Sequence, residues 1–151
     1  MTDSSNYSTN HSTNYDNQNI FAKILREEIP CIKVYEDENT LAFMDIMPQA
    51  NGHTLVIPKT PAITLLDLPE DAASDLIVKV QRVATAVKKA MSAEGITIFQ
   101  LNGEAAGQTV PHIHFHVLPG SIQGARQHAS VSAEQSDLQD TAEKIRAELT
   151  Y

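Results

Sequence analysis

The sequence predicts an α+β domain in which an antiparallel sheet of about five strands packs against one long central helix, with short helices near each end. Three observations carry this prediction. Short strand-like runs follow one another early in the chain, one long stretch has helical periodicity, and two further strand-like runs come after it. The chain has 151 residues, 42% of them apolar and 20% charged, which suits a single domain of ordinary composition.

The individual elements follow from local periodicity. Apolar residues at helical spacing before Pro30 predict a short first helix near residues 20–25. The runs CIKVYED, TLAFMD and GHTLVIPK are bounded by turn residues and predict three consecutive antiparallel strands. One apolar face between Pro69 and Gly95 predicts the longest helix, and ITIFQLN and HIHFHVL predict two more strands. Apolar residues at helical spacing after residue 132 predict a last helix.

Residues 1–18 are predicted to form a disordered polar arm, and residues 19–151 a single domain. The arm contains eleven Ser, Thr or Asn residues, so ordering it would bury little apolar surface to offset the lost entropy. It has no Lys or Arg and no apolar core, unlike a secretory or mitochondrial targeting segment. We therefore expect a cytoplasmic protein.

Charge and composition exclude several partners. Eleven Lys and Arg residues against nineteen Asp and Glu residues give a net charge of −8, which disfavours nucleic acid as a partner. No apolar run approaches the roughly 18 residues of a membrane-spanning helix, so we expect no membrane partner. Cys31 is the single cysteine, so the chain forms no internal disulfide and no cysteine-built zinc site.

The segment PHIHFHVLP, residues 111–119, is the most informative part of the chain. Period-two alternation places His112, His114 and His116 on one face of a strand, while Ile113, Phe115 and Val117 take the opposite face. A polar sheet face that happens to use histidine is one interpretation. A metal site is another, but at about 3.3 Å per residue the outer two histidines lie roughly 13 Å apart, which disfavours one shared ion.

Phosphorus chemistry is the interpretation that uses all three histidines. A neutral imidazole is a nucleophile at pH 7, and neighbouring imidazoles can bind phosphate oxygens or protonate a leaving group. The loop AAGQTV leads directly into the histidine segment, and its backbone N–H groups can point at an anion. We expect His114 to lie on the exposed face that lines a pocket.

The sequence GQTVPHIHFHVL, residues 107–118, resembles the signature of the histidine triad (HIT) superfamily. The resemblance extends through IKVYEDE, LAFMDIMPQANGHTLVIPK and NGEAAGQ, covers about residues 19–120, and points to the bacterial histidine triad nucleotide-binding proteins. It implies a HIT-like fold for the domain. It also implies that His114 is the nucleophile, that His112 and His116 flank it, and that His53 is a fourth histidine that helps proton movement.

The same resemblance implies a nucleotide site. Asp45 matches a residue that accepts hydrogen bonds from ribose, and Phe43 and Ile46 match apolar walls of the nucleoside pocket, with core packing as the alternative for both. The residues that match phosphate contacts are Asn102, Gln108 and Thr109, and turn formation is an equal alternative for Asn102.

The function implied is hydrolysis of nucleoside phosphoramidates, such as adenosine phosphoramidate or aminoacyl and lysyl adenylates, through a covalent nucleotidyl-histidine. Dinucleoside polyphosphate hydrolysis and a non-enzymatic nucleotide-binding or partner-binding module are the alternatives. The implied ligands are purine nucleoside monophosphates and their amidates or anhydrides, and no cofactor is expected.

The resemblance also implies a homodimer that pairs through the long helix and the strand after it. The apolar residues expected to supply that surface are Val80, Val83, Val87, Ile96, Ile98 and Phe99, with filling of the monomer's own core as the alternative for all of them.

One departure from the family pattern concerns metal. Many bacterial relatives bind a structural zinc through two cysteines, a histidine and the first triad histidine. This sequence has Asn19, Ala22 and Pro61 at three of those positions and keeps only His112. We therefore expect no structural zinc and no metal in the site.

Overall fold

The computed structural model describes residues 14–122 and 133–149 and contains one antiparallel five-stranded sheet in the order β1-β2-β3-β5-β4. The strands are β1 (Lys33–Glu36), β2 (Thr40–Met44), β3 (Thr54–Pro58), β4 (Ile96–Gln100) and β5 (Phe115–Pro119). The helices are α1 (Ile20–Leu25), α2 (Glu70–Ala90) and α3 (Gln135–Glu148), with a short 3-10 turn at Glu104–Ala106. The predicted α+β fold class is confirmed.

The two faces of the sheet pack against different helices. On one face, α2 and α3 enclose the larger apolar core, to which the sheet contributes Val34, Ala42, Val56 and Val117. On the other face, Phe21 and Ile24 of α1 pack on a smaller cluster formed by Leu41, Phe43, Leu55 and Ile57. Because strand side chains alternate between faces, β2 and β3 each supply both clusters.

The valines predicted to form a dimer surface are buried inside the monomer. Val80, Val83 and Val87 of α2 belong to the larger core and are at most 1% exposed. Ile98 of β4 is 42% exposed, so it retains the apolar surface that was expected there. Helical periodicity identifies an apolar face, but it does not reveal whether the covering surface comes from the same chain.

The predicted histidine strand is shorter than expected, because β5 begins at Phe115 and leaves His112 and His114 before it. The β3–β5 register pairs Val56 with Phe115, and its continuation would bring Pro58 opposite Ile113. Since proline has no N–H, it cannot donate to this ladder. The N–H of Ile113 donates instead to the carbonyl of Ala62 at 2.9 Å.

The end of the predicted arm lies against the domain. Residues 1–13 fall outside the described residues, but Tyr15 is partly buried and reaches His112. The N-cap of α1 is Asn19, whose side-chain oxygen accepts a hydrogen bond from the N–H of Ala22 at 2.9 Å. Among the helices of the described residues, none is both long enough and apolar enough to cross a bilayer.

A substitution at Gly52 tests how tightly the loop before β3 is packed. The φ of Gly52 is +96°, and an added Cβ would lie 2.9 Å from Met91 Cγ and 3.1 Å from Pro119 Cγ. We expect Gly52→Ala to lower the free energy of unfolding by at least about 1–2 kcal/mol, the usual cost of left-handed backbone for an L-residue. Denaturant unfolding measures the change.

Gly95→Ala is the matched control for this substitution. A Cβ at Gly95 would meet no atom within 4 Å, and its backbone is not left-handed. The free energy of unfolding of this variant should stay within about 0.5 kcal/mol of the parent. Equal stability of the two variants would show that the loop before β3 yields without strain.

Candidate active site

Four histidines converge on the face of the sheet that packs against α1. His53 precedes β3, His112 and His114 precede β5, and His116 lies within β5 opposite Leu55. The ring centroids of His114 and His116 are 4.8 Å apart, and those of His53 and His116 are 5.1 Å apart. The structure thus brings together all four histidines that the sequence singled out.

These histidines are more deeply buried than the sequence predicts. His53 and His112 are 0% exposed and His114 is 6% exposed, so the expectation that His114 lies on an exposed face is wrong. The reason is α1, whose Phe21 ring packs edge-on against His114 with 4.9 Å between centroids. The predicted opposite face is confirmed, because Ile113, Phe115 and Val117 pack into or against the larger core.

Hydrogen-bond partners assign the tautomers of His112 and His114. His112 Nε2 lies 2.9 Å from the carbonyl oxygen of Pro58, so it carries the proton and donates. His112 Nδ1 is then an acceptor, and the hydroxyl of Tyr15 lies 2.5 Å from it. His114 Nδ1 lies 2.8 Å from the carbonyl oxygen of His112 and donates to it. A neutral His114 therefore keeps a lone pair on Nε2.

A second hydrogen-bonded pair sets the tautomers of His53 and His116. The N–H of Gln49 donates to His53 Nδ1 at 3.0 Å, so the proton of neutral His53 is on Nε2. His53 Nε2 donates to His116 Nδ1 at 2.9 Å, which places the proton of neutral His116 on Nε2. Within the described part of the chain, His114 Nε2 and His116 Nε2 are the two ring nitrogens without a hydrogen-bond partner. One is an acceptor and the other a donor.

Burial keeps all four imidazoles neutral. Desolvation disfavours the charged ring and lowers the pKa of both His53 and His112 to about 4. The pKa of His116 falls to about 3, because repulsion from His114 and His53 adds to burial. Burial also lowers the pKa of His114, although its bond to the carbonyl of His112 acts in the opposite direction. At pH 7 the site therefore presents neutral imidazole, the nucleophilic form.

Asp45 lies at the edge of this cluster. One carboxylate oxygen accepts from the N–H of Met47 at 2.9 Å, and the other lies 3.5 Å from His53 Nδ1. Burial raises the pKa of this carboxyl. Asp45, His53 and His116 offer ligand atoms within 4.8 Å of one another. Both nitrogens of His53 already have hydrogen-bond partners, so the arrangement suits a hydrogen-bonded chain better than a metal site.

The structural zinc site that the resemblance brings into question does not fit these residues. Asn19 uses its side chain at the start of α1, where its amide nitrogen also donates to the carbonyl of Asp16 at 2.7 Å. Ala22 and Pro61 have no ligand atom in their side chains. At the remaining position, His112 Nδ1 already accepts a hydrogen bond from the hydroxyl of Tyr15. Both nitrogens of that ring are therefore engaged.

The predicted phosphate residues divide into two groups. Gln108 is buried, and its side chain bonds the N–H of Gly103 and the carbonyls of Ile63 and Val110 at 2.7–2.9 Å. Asn102 accepts from the N–H of Leu65 and exchanges two bonds with Gln100. These two side chains shape the loop before the histidine segment. Thr109 differs, because it lies exposed in the same loop.

The two predicted apolar walls also differ. Phe43 is 3% exposed and packs edge-on against Phe21, with 5.5 Å between centroids, so its packing is that of a core residue. Ile46 is 54% exposed, next to Asp45 in the loop that follows β2. It offers free apolar surface beside the histidine cluster.

Sequence reasoning missed two aromatic neighbours of the triad. Phe99 stacks on His116 with 4.2 Å between centroids and 7° between ring planes. The β4–β5 register pairs Phe99 with His116, and the sequence alone does not fix that register. Tyr15 also carries no sequence signal, since it lies 97 residues from His112 within a polar segment.

The lowered histidine pKa values predict acid sensitivity. The unfolded chain takes up protons near pH 6.5, whereas folded His53, His112 and His116 resist protonation down to about pH 4. The contribution of these histidines to the free energy of unfolding is therefore largest above pH 6.5. It decreases as the pH is lowered below that value. The fall should reach at most about 1.4 kcal/mol per histidine per pH unit.

Urea unfolding at pH 7, 6 and 5 measures this dependence. The carboxyls of Asp37 and Asp67 have pKa values below their usual range and titrate outside this window. The raised pKa of Asp45 acts in the opposite direction, but it is one carboxyl against three histidines and offsets only part of the fall. Histidine ring proton resonances of the folded protein give a second measurement. Unfolding free energies that are equal at pH 7 and pH 5 would contradict neutral burial.

Comparisons with known proteins place this arrangement in a family. A HIT-like protein from Bartonella henselae, described as involved in cell-cycle regulation, is 50% identical with a TM-score of 0.83, over 89% of this chain and 98% of that chain. Adenosine 5′-monophosphoramidase of Schizosaccharomyces pombe is 41% identical over 66% of this chain and 72% of the yeast protein. Adenylylsulfatase HINT3 of Arabidopsis thaliana is 37% identical over 72% of this chain and 55% of the plant protein. The HIT domain family matches residues 26–122, and the chain belongs to that family.

Proposed function

We propose that this protein is a cytoplasmic nucleotide-binding hydrolase that cleaves purine nucleoside phosphoramidates at the α-phosphorus. The substrate class includes adenosine phosphoramidate and aminoacyl or lysyl adenylates. One observation carries the proposal: His114 is neutral, donates Nδ1–H to the carbonyl of His112, and keeps a lone pair on Nε2. An imidazole in that state attacks phosphorus without prior deprotonation.

The chemistry proceeds in two displacements. His114 Nε2 attacks the α-phosphorus, the bond to the leaving group breaks, and a nucleotidyl-histidine forms. Positive charge then develops on the His114 ring, where the Nδ1–H bond to the carbonyl of His112 stabilises it. Water next attacks the same phosphorus, and the bond between phosphorus and His114 Nε2 breaks. One proton of the water is released to solvent, the nucleoside monophosphate leaves, and neutral His114 returns.

His116 and His53 assist the departure of the leaving group. His116 Nε2–H is the free donor of the cluster and can hydrogen-bond the leaving nitrogen, while His53 donates to the other nitrogen of the same ring at 2.9 Å. The leaving nitrogen takes up a proton from solvent, so both rings stay neutral throughout. The stack of Phe99 on His116 holds the donor ring in place. A hydrogen-bond donor aimed at developing charge is typically worth about 10²- to 10³-fold in rate.

The nucleotide is bound by groups at the rim of the cluster. The Asp45 oxygen that does not bond Met47 can accept a ribose hydroxyl. Ile46 offers exposed apolar surface for the base, while Phe43 belongs to the smaller core cluster on the same face of the sheet as the histidines. Thr109 and the backbone N–H groups of its loop contact the phosphate, while Gln108 and Asn102 hold the shape of that loop.

The names of two relatives indicate where specificity resides. One relative is named for a phosphoramidate of adenosine and the other for adenylyl sulfate, so the adenylyl group is common and the leaving group differs. Dinucleoside polyphosphate hydrolysis uses the same adenylyl phosphorus with a third leaving group and remains the alternative enzyme activity. A nucleotide-binding or partner-binding module without turnover is the alternative outside enzymes. These functions can be distinguished by measuring turnover of adenosine phosphoramidate, adenylyl sulfate and diadenosine polyphosphate side by side.

We expect His114→Ala to abolish turnover of adenosine phosphoramidate while AMP affinity changes much less. The substitution removes the atom that forms the covalent bond, and Ile113 and Val117 in the core remain unchanged. His112→Ala and His116→Ala should retain more activity than His114→Ala. Intact-protein mass spectrometry of a rapidly quenched reaction should show one adenylyl group on the parent and none on His114→Ala. Near-normal turnover by His114→Ala would remove it as the nucleophile and favour the module.

We also propose that the protein is a homodimer. Ile98 lies opposite Val117 on the sheet face that α2 covers, yet it is 42% exposed on the edge strand β4. Sedimentation should give about twice the 16.5 kDa mass of one chain. Ile98→Glu should shift the equilibrium toward monomer, whereas Leu66→Glu, at a residue that is 80% exposed elsewhere, should not. A single species of monomer mass at micromolar parent protein would contradict the dimer.

A further inference from the structure

Tyr15 makes the longest-range contact to the triad within the described residues. Its hydroxyl lies 2.5 Å from His112 Nδ1, and the two rings meet edge-on with 5.7 Å between centroids. The contact joins the segment before α1 to the segment before β5. Nothing in the activity proposed above uses this hydroxyl.

The direction of this hydrogen bond follows from the other side of the imidazole. His112 Nε2 faces the carbonyl of Pro58, which can only accept, so the ring proton is on Nε2. Tyr15 is therefore the donor and His112 Nδ1 the acceptor. Burial raises the pKa of Tyr15, which keeps the hydroxyl protonated at neutral pH.

The segment that carries Tyr15 is tied to α1 by its own hydrogen bonds. The carbonyl of Asp16 accepts from both the backbone N–H and the side-chain amide of Asn19. The guanidinium of Arg26 donates to the carbonyl of Asn17 at 2.8 Å. These bonds hold the backbone next to Tyr15 against the start of α1, whose Phe21 contacts both His112 and His114.

His112 is the link from Tyr15 to the nucleophile. Its ring is 0% exposed and is held between Tyr15 and Pro58, while its backbone carbonyl accepts from His114 Nδ1 at 2.8 Å. Without Tyr15 the Nδ1 lone pair of a buried ring would have no partner, which the ring can relieve only by shifting or by admitting water. A shift of His112 moves the carbonyl that orients His114.

We infer that Tyr15 is a positioning residue for this site: its hydroxyl holds the ring of His112 and thereby the His112 carbonyl that orients the nucleophile. The kinetic consequence rests on the proposed function. The contact between Tyr15 and His112 does not. Loss of this hydrogen bond should therefore slow the chemical step while nucleotide binding at Asp45 and Ile46 is largely retained.

Tyr15→Phe in the full chain tests the inference, with Tyr35→Phe as the matched control. Tyr35 also hydrogen-bonds through its hydroxyl, to Asp37 at 2.6 Å, but its ring packs against the larger core on the other face of the sheet. We expect kcat for adenosine phosphoramidate to fall about three- to tenfold in Tyr15→Phe. AMP affinity should stay within about twofold, and Tyr35→Phe should match the parent in both.

Two further measurements separate positioning from general stability. Nitrogen-15 NMR of the imidazoles should show a changed His112 Nδ1 signal in Tyr15→Phe and an unchanged one in Tyr35→Phe. Replacement of Tyr15 by 4-aminophenylalanine, which keeps an N–H donor on the same ring, should restore most of the lost turnover.

Unchanged kcat and an unchanged His112 signal in Tyr15→Phe would overturn the inference. Equal kcat for Tyr15→Phe and the 4-aminophenylalanine variant would overturn it as well. If the parent turns over none of the substrates, the proposed function fails. The NMR comparison then still decides whether Tyr15 holds His112.

Discussion

Packing of four neutral histidines on one face of the sheet, three of them buried and His116 half-buried, is the constraint on which the rest of the site depends. A neutral imidazole has one donor and one acceptor, and a buried ring must pair both or lose stability. Pro58, Tyr15, Gln49 and the neighbouring histidines meet most of these requirements. Among the described residues, an acceptor at His114 and a donor at His116 are left over, and these two atoms are the ones that the proposed reaction needs.

The central strand β3 supports the site from both ends. His53 lies just before its first residue. The carbonyl of its last residue, Pro58, accepts a hydrogen bond from His112 Nε2–H. Proline at this position also stops the β3–β5 ladder. His112 and His114 are thereby released from regular strand geometry, and the carbonyl of His112 can accept from the His114 ring two residues later.

Stability and reactivity share one cause in this arrangement. Desolvation lowers the pKa of each histidine, which makes the folded state sensitive to acid and keeps His114 in its nucleophilic form at neutral pH. The hydrogen bonds that satisfy the buried rings also assign their tautomers. A substitution that removes one hydrogen-bond partner should therefore change the protonation state and the orientation of the imidazole that was bonded to it.

The sequence by itself determined the fold class, the positions of the main helices and strands, and the identity of the four histidines, because these depend on periodicity and residue type within short segments. Only the tertiary structure decided that α1 packs over His112 and His114, that the valines of α2 face the monomer's own core, and that the side chains of Gln108 and Asn102 hydrogen-bond within the loop region before the histidine segment. The contacts of Tyr15 and Phe99 with the triad belong to the same group. They depend on which surfaces meet when distant segments pack, and local periodicity carries no information about the partner of a side chain.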